Sequence, residues 1–182
     1  MAKKILGLTG LIASGKEVAK KYIEEKYGAS SYRFSTMLRD ILNRLYLPVT
    51  RENLQLLSLD LRQRFGGDTL ARVIAQDALK DQGEIVIVEG IRRLDDIKEL
   101  RHLPNFHLIS IDADPKKRYD RVIKRNENVG DAEKSFEQFL LEERRESEAE
   151  IPRVISEASY HLDNNGSLED LHKQIDDIIK QL

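Results

Sequence analysis

Residues 3–18 read KKILGLTGLIASGKEV, and this stretch decides the fold. An apolar, strand-like run comes first, and Gly10 to Lys16 then match the pattern G-x-x-x-x-G-K at the start of a helix. Glycines let the backbone curl so that N–H groups point at phosphate oxygens, while the helix N-terminus and Lys16 add positive charge. We therefore predict a phosphate-binding loop. Its donor-contacting residues are predicted to be Gly10, Ala13, Ser14, Gly15, Lys16, Glu17 and Val18.

The residue after Lys16 departs from this pattern. Ser or Thr is expected there, because its hydroxyl ligates Mg²⁺, and the chain instead has Glu17 followed by Val18. A carboxylate at this position either ligates Mg²⁺ directly or points away along the helix, and if left unpaired it would repel phosphate. Glu17 is therefore a predicted metal ligand, and metal binding is the open question of this loop.

Composition narrows the class of protein. A chain of 182 residues fits one domain with its own core, and 40% hydrophobic with 34% charged residues is ordinary for a soluble protein. The formal net charge of −2 provides no general attraction to nucleic acid. The lack of cysteine excludes disulfides and thiolate metal sites. Since no apolar run reaches the roughly 18 residues of a membrane span, we expect a cytoplasmic protein with neither membrane nor nucleic-acid partners.

Short apolar runs alternate with amphipathic stretches along the chain. The predicted strands are residues 5–9, 31–34, 85–88, 106–111 and, more weakly, 160–162. The predicted helices cover roughly residues 15–27, 36–46, 51–65, 68–81, 93–101, 114–126, 134–148 and 168–181. This alternation predicts a three-layer α/β/α fold with a five-stranded parallel sheet. In such sheets ligands bind beyond the carboxyl ends of the strands.

Polar residues follow the second and third predicted strands. The second leads into FSTMLRDIL, where Ser35 and Arg39 lie on the first turns of a helix and an arginine can fork onto a monophosphate. The third ends in Glu89, and an acid that closes a buried strand beside a phosphate loop can support Mg²⁺ through water. We therefore predict Arg39 on the acceptor and Glu89 as a second metal ligand. The stretch also resembles the acceptor-binding helix of nucleoside-monophosphate kinases, where Ser or Thr precedes an M-L-R run, and this resemblance implies that Ser35 binds the acceptor.

A weaker candidate for the acceptor site is Arg64, near the end of the third predicted helix. Arginines in this stretch, including Arg62, can equally pair with Asp60 and Asp68 on a solvated face, which is the commoner outcome. Arg64 ranks above Arg62 in this prediction.

An arginine-rich helix follows the fourth predicted strand and begins after Asp114-Pro115. Arg121 and Arg125 are four residues apart and share one face of this helix. They can therefore converge on one anion and stabilise the charge of a phosphoryl group in transfer.

The segment after this helix is polar and contains glycine, as a mobile lid should. We predict a mobile helical lid over about residues 115–150, with residues 126–131 as its polar turn. Most charges of residues 134–150 are expected to pair on a solvated helix face. Arg144 or Arg145 is the candidate exception that returns toward the site.

Residues 158–171, ASYHLDNNGSLEDL, read as a strand, a tight loop and a helix. This stretch resembles the A-D-y-x-I-x-N-x-G-s-l-e-e-L signature of dephospho-coenzyme-A kinases, in which the loop backbone packs on the adenine of the donor. Asn164 and Gly166 match the signature, whereas Ser159 and His161 depart from it. The resemblance implies that Asn164 and Gly166 bind the donor nucleotide.

Nearly the whole chain resembles the P-loop kinase group that includes dephospho-coenzyme-A kinases, phage-type deoxynucleoside-monophosphate kinases and archaeal adenylate-kinase-related proteins. Its stretch EGIR is similar to the D-G-F-P-R motif of adenylate kinases, with Glu89 for the acid and Arg92 for the phosphate-binding arginine, but without the proline. The resemblance implies one P-loop kinase domain over residues 1–182 with an acceptor-binding helical insert over about residues 35–82. It also implies ATP and Mg²⁺ as cofactors.

The reaction that the resemblance implies is transfer of the γ-phosphoryl group of ATP to a small nucleotide-like acceptor. Lys16 and Mg²⁺ would bridge the donor phosphates. Arg121 and Arg125 would stabilise the group in transfer, and Arg39 and Arg92 would hold the acceptor, with Arg92 counted among the catalytic residues as well.

The acceptor is open among several possibilities. A phosphate acceptor is already ionised, whereas the sugar hydroxyl of dephospho-coenzyme A needs a general base. Dephospho-coenzyme-A kinases have an Asp after the second strand, and this chain has Ser35-Thr36 there, with Asp40 further on. This favours a (deoxy)nucleoside monophosphate. Dephospho-coenzyme-A kinase, an ATPase and a catalytically weak nucleotide-binding protein remain alternatives, and neither ATP versus GTP nor the oligomeric state follows from the sequence.

Overall fold

The computed structural model describes residues 3–126, 132–143 and 149–182. Its strands are β1 (Lys4–Thr9), β2 (Ser30–Arg33), β3 (Ile85–Glu89), β4 (Phe106–Asp112) and β5 (Tyr160–Asp163). Its helices are α1 (Lys16–Tyr27), α2 (Phe34–Arg44), α3 (Arg51–Phe65), α4 (Thr69–Lys80), α5 (Leu94–Lys98), α6 (Pro115–Arg125), α7 (Phe136–Glu142), α8 (Ile151–Ser156) and α9 (Leu168–Gln181), and a 3₁₀ turn covers Leu100–His102.

The strands form a five-stranded sheet in the order β2-β3-β1-β4-β5, and every neighbouring pair is parallel. The predicted five-stranded parallel sheet is therefore confirmed. β1 occupies the centre, so the loop that follows it leaves the middle of the carboxyl edge. At the same edge Arg33 pairs in register with Glu89, which places the last residues of β2 and β3 side by side.

Both faces of the sheet are covered, because alternate strand residues point to opposite sides. One face packs against α2, α4 and α5, and its strand residues are Ile5, Val86, Val88 and Leu108. The other packs against α1 and α9, and its strand residues are Leu6, Leu8, Ile85, Ile87, Ile109 and Ile111. β3 is buried along its whole length, as its unbroken apolar run predicts. The three-layer α/β/α arrangement is confirmed.

Several helix boundaries differ from the prediction. α2 begins at Phe34, which we assigned to the preceding strand, because its ring is buried in the core beside the sheet. The helix predicted over 93–101 divides into α5 and the 3₁₀ turn. α8 was not predicted, since six residues are too few to display a helical period.

None of the helices in residues 3–126, 132–143 and 149–182 has the length and apolar character needed to cross a membrane.

Candidate functional site

The loop between β1 and α1 has the backbone that its glycines predict. Gly10 and Gly15 have φ angles of 149° and 114°, and Ala13 adopts the left-handed region with φ 58°. A Cβ on Gly10 would lie 2.3 Å from the carbonyl oxygen of Ile111, and one on Gly15 would lie 2.0 Å from Nδ2 of Asn164. Glycine is therefore required at both positions, where the loop packs on β4 and on the segment after β5.

The donor-facing side chains of this loop have different surroundings. Lys16 donates from Nζ to the carbonyl oxygens of Gly10 and Leu11, at 2.6 and 2.8 Å, so its ammonium group lies across the loop. The Ser14 hydroxyl is fully buried and has no hydrogen-bond partner in the described part of the chain. Val18 lies on the first turn of α1 with 41% of its surface exposed.

Asn164 and Arg121 tie the loop to the segment that follows β5. Asn164 is buried, and its Nδ2 donates to the carbonyl oxygen of Ser14 at 2.7 Å. Arg121 donates from Nη2 to the carbonyl oxygen of Asn164 at 2.8 Å and from Nη1 to that of Ala13 at 3.2 Å. Gly166 is exposed just before α9. The structure thus brings the Asn164 segment against the phosphate loop, and Arg121 contacts backbone carbonyls there.

Sequence reasoning missed Arg118, which is only 2% exposed. Its Nε donates to the carbonyl oxygen of Ala113 at 2.9 Å, its guanidinium pairs with Glu143, and it lies 5.6 Å from the ring centroid of Phe139. Burial lowers the pKa of Arg118, although neighbouring aspartates act in the opposite direction. A signal was present, because Arg118 and the buried Val122 are four residues apart and share the inner face of α6.

A cavity of about 590 Å³ opens beyond the carboxyl ends of β2 and β3. Its lining residues are Glu17, Lys20, Ser31, Arg33, Ser35, Thr36, Arg39, Glu89 and Arg125. It brings together five residues that the sequence analysis assigned to the site, which are Glu17, Ser35, Arg39, Glu89 and Arg125. Lys20, Ser31, Arg33 and Thr36 were not predicted as site residues.

The other predicted arginines do not line this cavity. Arg92 is exposed, and its backbone N–H donates to Oδ2 of Asp96 at 2.9 Å. Arg64 is exposed at the end of α3, while Arg62 pairs with the same Asp96 at 2.7 Å rather than with Asp60 or Asp68. The predicted convergence of Arg121 and Arg125 on one anion stays a prediction, since only Arg125 lines the cavity.

Two predicted features of the lid fall on residues that the structure does not describe. The polar turn of the lid includes residues 127–131, which lie outside the described ranges. The same holds for Arg144 and Arg145. The described part of the predicted lid consists of α6, α7 and the short segments around them.

Four side chains of the cavity form a charge quartet of Glu17, Lys20, Arg33 and Glu89. Lys20 Nζ lies 2.8 Å from Glu17 and 3.3 Å from Glu89, and Arg33 Nη2 lies 3.0 Å from Glu17 and 2.7 Å from Glu89. Each acid therefore contacts both cations. Two positive and two negative side chains make the quartet neutral as a group.

Ion pairing shifts the pKa values of Glu17, Lys20 and Arg33 in the direction that favours their charged forms. Partial burial alone would raise the pKa of Glu17, but the hydrogen bond and charge of Lys20 and the charge of Arg33 hold it below the usual range. Burial alone would lower the pKa of Lys20, and its bonds to the two acids raise it instead. The hydrogen bond that Arg33 donates to Glu89 raises the pKa of Arg33. Glu17, Lys20 and Arg33 are therefore charged near neutral pH.

The quartet does not fit direct coordination of Mg²⁺ by the two predicted ligands. Each carboxylate oxygen of Glu17 and Glu89 contacts a protein cation within 3.3 Å. Mg²⁺ demands near-ideal octahedral geometry with oxygens at about 2.1 Å, so it would have to displace Lys20 and Arg33. No group of three or more His, Cys, Asp or Glu able to hold a metal occurs among the residues described. The metal-ligand roles of Glu17 and Glu89 stay predictions.

The chain is similar to one protein family and to several archaeal relatives. A family profile described as "AAA domain" matches residues 9–140. A UPF0200 protein of Methanoregula boonei is 32% identical, over 98% of this chain and 97% of the relative. A UPF0200 protein of Pyrococcus abyssi is also 32% identical, over 98% and 96% of the two chains.

Solved structures show the same fold. A shikimate kinase from Bacteroides thetaiotaomicron has a TM-score of 0.62 at 12% identity, covering 98% of this chain and 97% of the other. TT1252 from Thermus thermophilus has a TM-score of 0.60 at 20% identity, covering 100% and 99%. At these identities the likeness establishes a P-loop kinase-like fold and nothing about substrates. The family profile and these relatives show that the chain belongs to the AAA domain family and to the UPF0200 proteins.

Proposed function

We propose that this protein is an ATP-dependent phosphotransferase that moves the γ-phosphoryl group to a (deoxy)nucleoside monophosphate. One observation carries the choice of acceptor. Four basic and two acidic side chains line the cavity beside the phosphate loop, which leaves two positive charges in excess. A phosphate monoester carries nearly two negative charges at neutral pH, so an acceptor of this class matches the cavity in sign and size of charge.

The donor side of the proposal rests on the phosphate loop. Lys16 exchanges its two carbonyl partners for the outer phosphates of ATP, which are stronger acceptors for an ammonium group. Asn164 donates to the phosphate loop at Ser14, and we assign the placing of the donor base to Asn164 and to Gly166 two residues later. The shikimate kinases among the structural neighbours are phosphotransferases by name. They support the class of reaction and leave the acceptor open.

The acceptor side rests on the residues at the start of α2. Arg39 lies in the cavity and is exposed, so its guanidinium can form paired hydrogen bonds with a monophosphate, helped by the hydroxyl of Ser35. An oxygen of the acceptor phosphate attacks the γ-phosphorus, the bond from that phosphorus to the bridging oxygen breaks, and ADP leaves with the electron pair. Arg125 stabilises the charge spread over the group in transfer. Arg121, which contacts the phosphate loop, is assigned the same role as Arg125, and Arg92 is assigned to the acceptor and to catalysis.

A hydroxyl acceptor and a phosphate acceptor also differ in whether they need a general base, and the acids described in the cavity bear on this difference. Among the described residues that line the cavity, the acids are Glu17 and Glu89, and both are paired with cations. A hydroxyl acceptor such as dephospho-coenzyme A would need a base within hydrogen-bond reach to take its proton, whereas a phosphate needs none. The cavity therefore favours the monophosphate.

The proposed layout follows from these roles. Residues 1–182 form one P-loop kinase domain, with the insert of about residues 35–82 over the acceptor and the lid of about 115–150 over the donor. ATP and Mg²⁺ are the proposed cofactors. Because Glu17 and Glu89 do not fit direct coordination, each step above is assigned to side chains of the protein. The proposed location is cytoplasmic, and the proposed partners are small molecules.

A second candidate function is favoured by one observation. Neither Glu17 nor Val18 supplies the hydroxyl that the phosphate-loop pattern places after Lys16. A protein with this substitution can bind nucleotide and turn it over poorly or not at all. It would then act as a nucleotide-dependent binding protein.

A coupled ADP-release assay separates these functions. We expect a nucleoside monophosphate to raise ADP formation above the rate without acceptor, and dephospho-coenzyme A to leave it unchanged. Turnover with dephospho-coenzyme A alone would overturn the choice of acceptor. Equal ADP formation with and without acceptor would indicate an ATPase, and nucleotide binding without turnover would support the second candidate.

A further inference from the structure

The charge quartet occupies a specific place relative to the phosphate loop. In P-loop enzymes the residue after the loop lysine and the acid at the end of a neighbouring strand lie on either side of the divalent ion that accompanies the triphosphate. In this chain those two positions are Glu17 and Glu89. The space between their carboxylates is bridged by Lys20 and Arg33 at 2.7 to 3.3 Å.

The backbone holds the two bridging cations in place. Lys20 lies one turn after Lys16 on α1, so both ammonium groups extend from the same face of that helix. Arg33 ends β2 directly beside Glu89, with which it is paired in register. The Lys20 side chain is 14% exposed and that of Glu89 is 9% exposed, so this contact is largely screened from solvent. The Arg33 and Glu17 side chains are more open to solvent, at 46% and 63% exposure. The Lys20–Glu89 contact is therefore the buried part of the bridge.

Displacing these cations with a divalent ion is unfavourable. The two carboxylates are already neutralised by two positive side chains, and the incoming ion would leave both side chains without their partners in a partly buried site. Removing one partner of a buried charge pair is among the most costly changes in a protein. A phosphate group, in contrast, need not break the bridge. An ammonium group has three N–H donors and a guanidinium group has five, so each cation can keep its two carboxylates and still donate to a phosphate oxygen.

We propose that Lys20 and Arg33 are built-in counter-cations for the donor nucleotide, which the protein therefore binds without a divalent ion held between Glu17 and Glu89. The proposal rests on the proposed function in that ATP is taken as the donor. It assigns both residues as phosphate-contacting residues that the motif pattern did not identify. It also gives Glu17 a role, since this carboxylate holds the two cations at the place where the usual hydroxyl would hold the metal.

The first test measures the dissociation constant of ATP by calorimetry with excess EDTA and with excess Mg²⁺. We expect the two constants of the unchanged protein to agree within about threefold. In the variant Lys20→Met/Arg33→Met, ATP binding with EDTA should weaken about tenfold to a hundredfold, as expected for lost charge-assisted bonds, and Mg²⁺ should restore part of it. Lys21→Met is the matched control, because Lys21 is the next residue of α1 and its side chain is 70% exposed; it should change neither constant.

The second test needs no nucleotide. Binding of Mn²⁺ to the protein alone is followed by electron paramagnetic resonance, with the unchanged protein expected to bind none and Lys20→Met/Arg33→Met expected to gain a site that Glu89→Gln removes. Circular dichroism and the thermal midpoint show whether each variant is folded, and Lys20→Arg, which keeps the charge, should retain metal-independent ATP binding. Binding of Mn²⁺ to the unchanged protein with loss in Glu89→Gln would overturn the proposal.

The outcomes keep this proposal separate from the proposed function. ATP binding that requires Mg²⁺ would overturn the counter-cation role and leave phosphotransfer intact. Metal-independent ATP binding with no acceptor-dependent ADP release would overturn the proposed phosphotransfer and leave the counter-cation role intact. If ATP did not bind under either condition, the donor assignment would fall, and the Mn²⁺ measurement would still decide whether a cation site exists between the two carboxylates.

Discussion

The arginines on the two flanks of the phosphate loop differ in what their guanidinium groups contact. On the flank that we propose for the donor, called the donor flank, Arg118 and Arg121 donate to backbone carbonyls around the loop, and Arg118 is buried. On the flank that we propose for the acceptor, called the acceptor flank, Arg39 and Arg125 are exposed and line a cavity. A buried guanidinium bonded to carbonyls stabilises the fold, whereas an exposed one in a cavity can bind an anion. Because all four residues are arginines, only the surroundings of each guanidinium group separate a structural role from a candidate catalytic one.

The largest expected effect comes from removing the buried arginine of the donor flank. Arg118→Met should lower the free energy of unfolding by about 3–5 kcal/mol, because Glu143 would keep its charge at a largely buried position without a partner. Urea denaturation measures this change. Arg118→Met/Glu143→Leu should recover most of the loss, since it removes both charges. Unchanged stability in Arg118→Met would show that this arginine is not structural, and the comparison of the flanks would fail.

The next prediction concerns the loop between the flanks. Lys16→Ala should lower the rate of acceptor-dependent ADP release by about 10²–10³-fold, because it removes one fixed charge from the transferred phosphates. Stability should change little, since Lys16 contacts only carbonyls of its own loop among its described hydrogen bonds. An unaffected rate would remove the phosphate loop from the mechanism.

A smaller effect is expected from removing an arginine of the acceptor flank. Arg39→Ala should raise the KM for the nucleoside monophosphate about tenfold to a hundredfold, as expected for a lost charge-assisted bond to phosphate, with little change in the KM for ATP. Arg64→Ala is the matched control, because Arg64 is exposed at the end of α3 and does not line the cavity. Equal effects of the two variants would contradict the assignment of Arg39 to the acceptor.

The smallest expected effect concerns the pH dependence of stability. The ion pairs of Glu17 lower its pKa below the usual 4.5, so their stabilisation is present above that value and is lost as the pH falls through the folded pKa. Because the Glu17 side chain is 63% exposed, the contribution should be under about 1 kcal/mol. Below pH 4.5, the thermal midpoint of Glu17→Gln should therefore depend less on pH than that of the unchanged protein. A midpoint that falls equally in both proteins would show that Glu17 contributes nothing.

Most of the fold could be predicted because its signals are local. The apolar run of β3, the glycines of the phosphate loop and the Ser167 cap of α9 are each decided within a few neighbouring residues. Local signals were weaker where tertiary packing decides the boundary of an element. Phe34 is an example, since it begins a helix with its ring buried in the core. The short helix α8 was missed because its six residues are too few to display a helical period.

The candidate site could be predicted only in part. Glu17, Ser35, Arg39, Glu89 and Arg125 were proposed from motifs, and the structure brings them into one cavity. Lys20 and Arg33 were not proposed, because neither belongs to a motif and each acquires its role from partners elsewhere in the chain. Arg33 meets Glu89 only through the pairing of β2 with β3, across 56 residues of sequence.

By itself, the sequence determined the alternation of strands and helices and the phosphate loop, because hydrophobic periodicity and glycine geometry act over short distances along the chain. The tertiary structure alone decided which charges meet. It brought Arg121 to the carbonyl oxygens of the phosphate loop, buried Arg118, and placed Lys20 and Arg33 between Glu17 and Glu89. The physical reason is that ion pairs depend on distance in space, and in this protein that distance is set by the order of strands in the sheet.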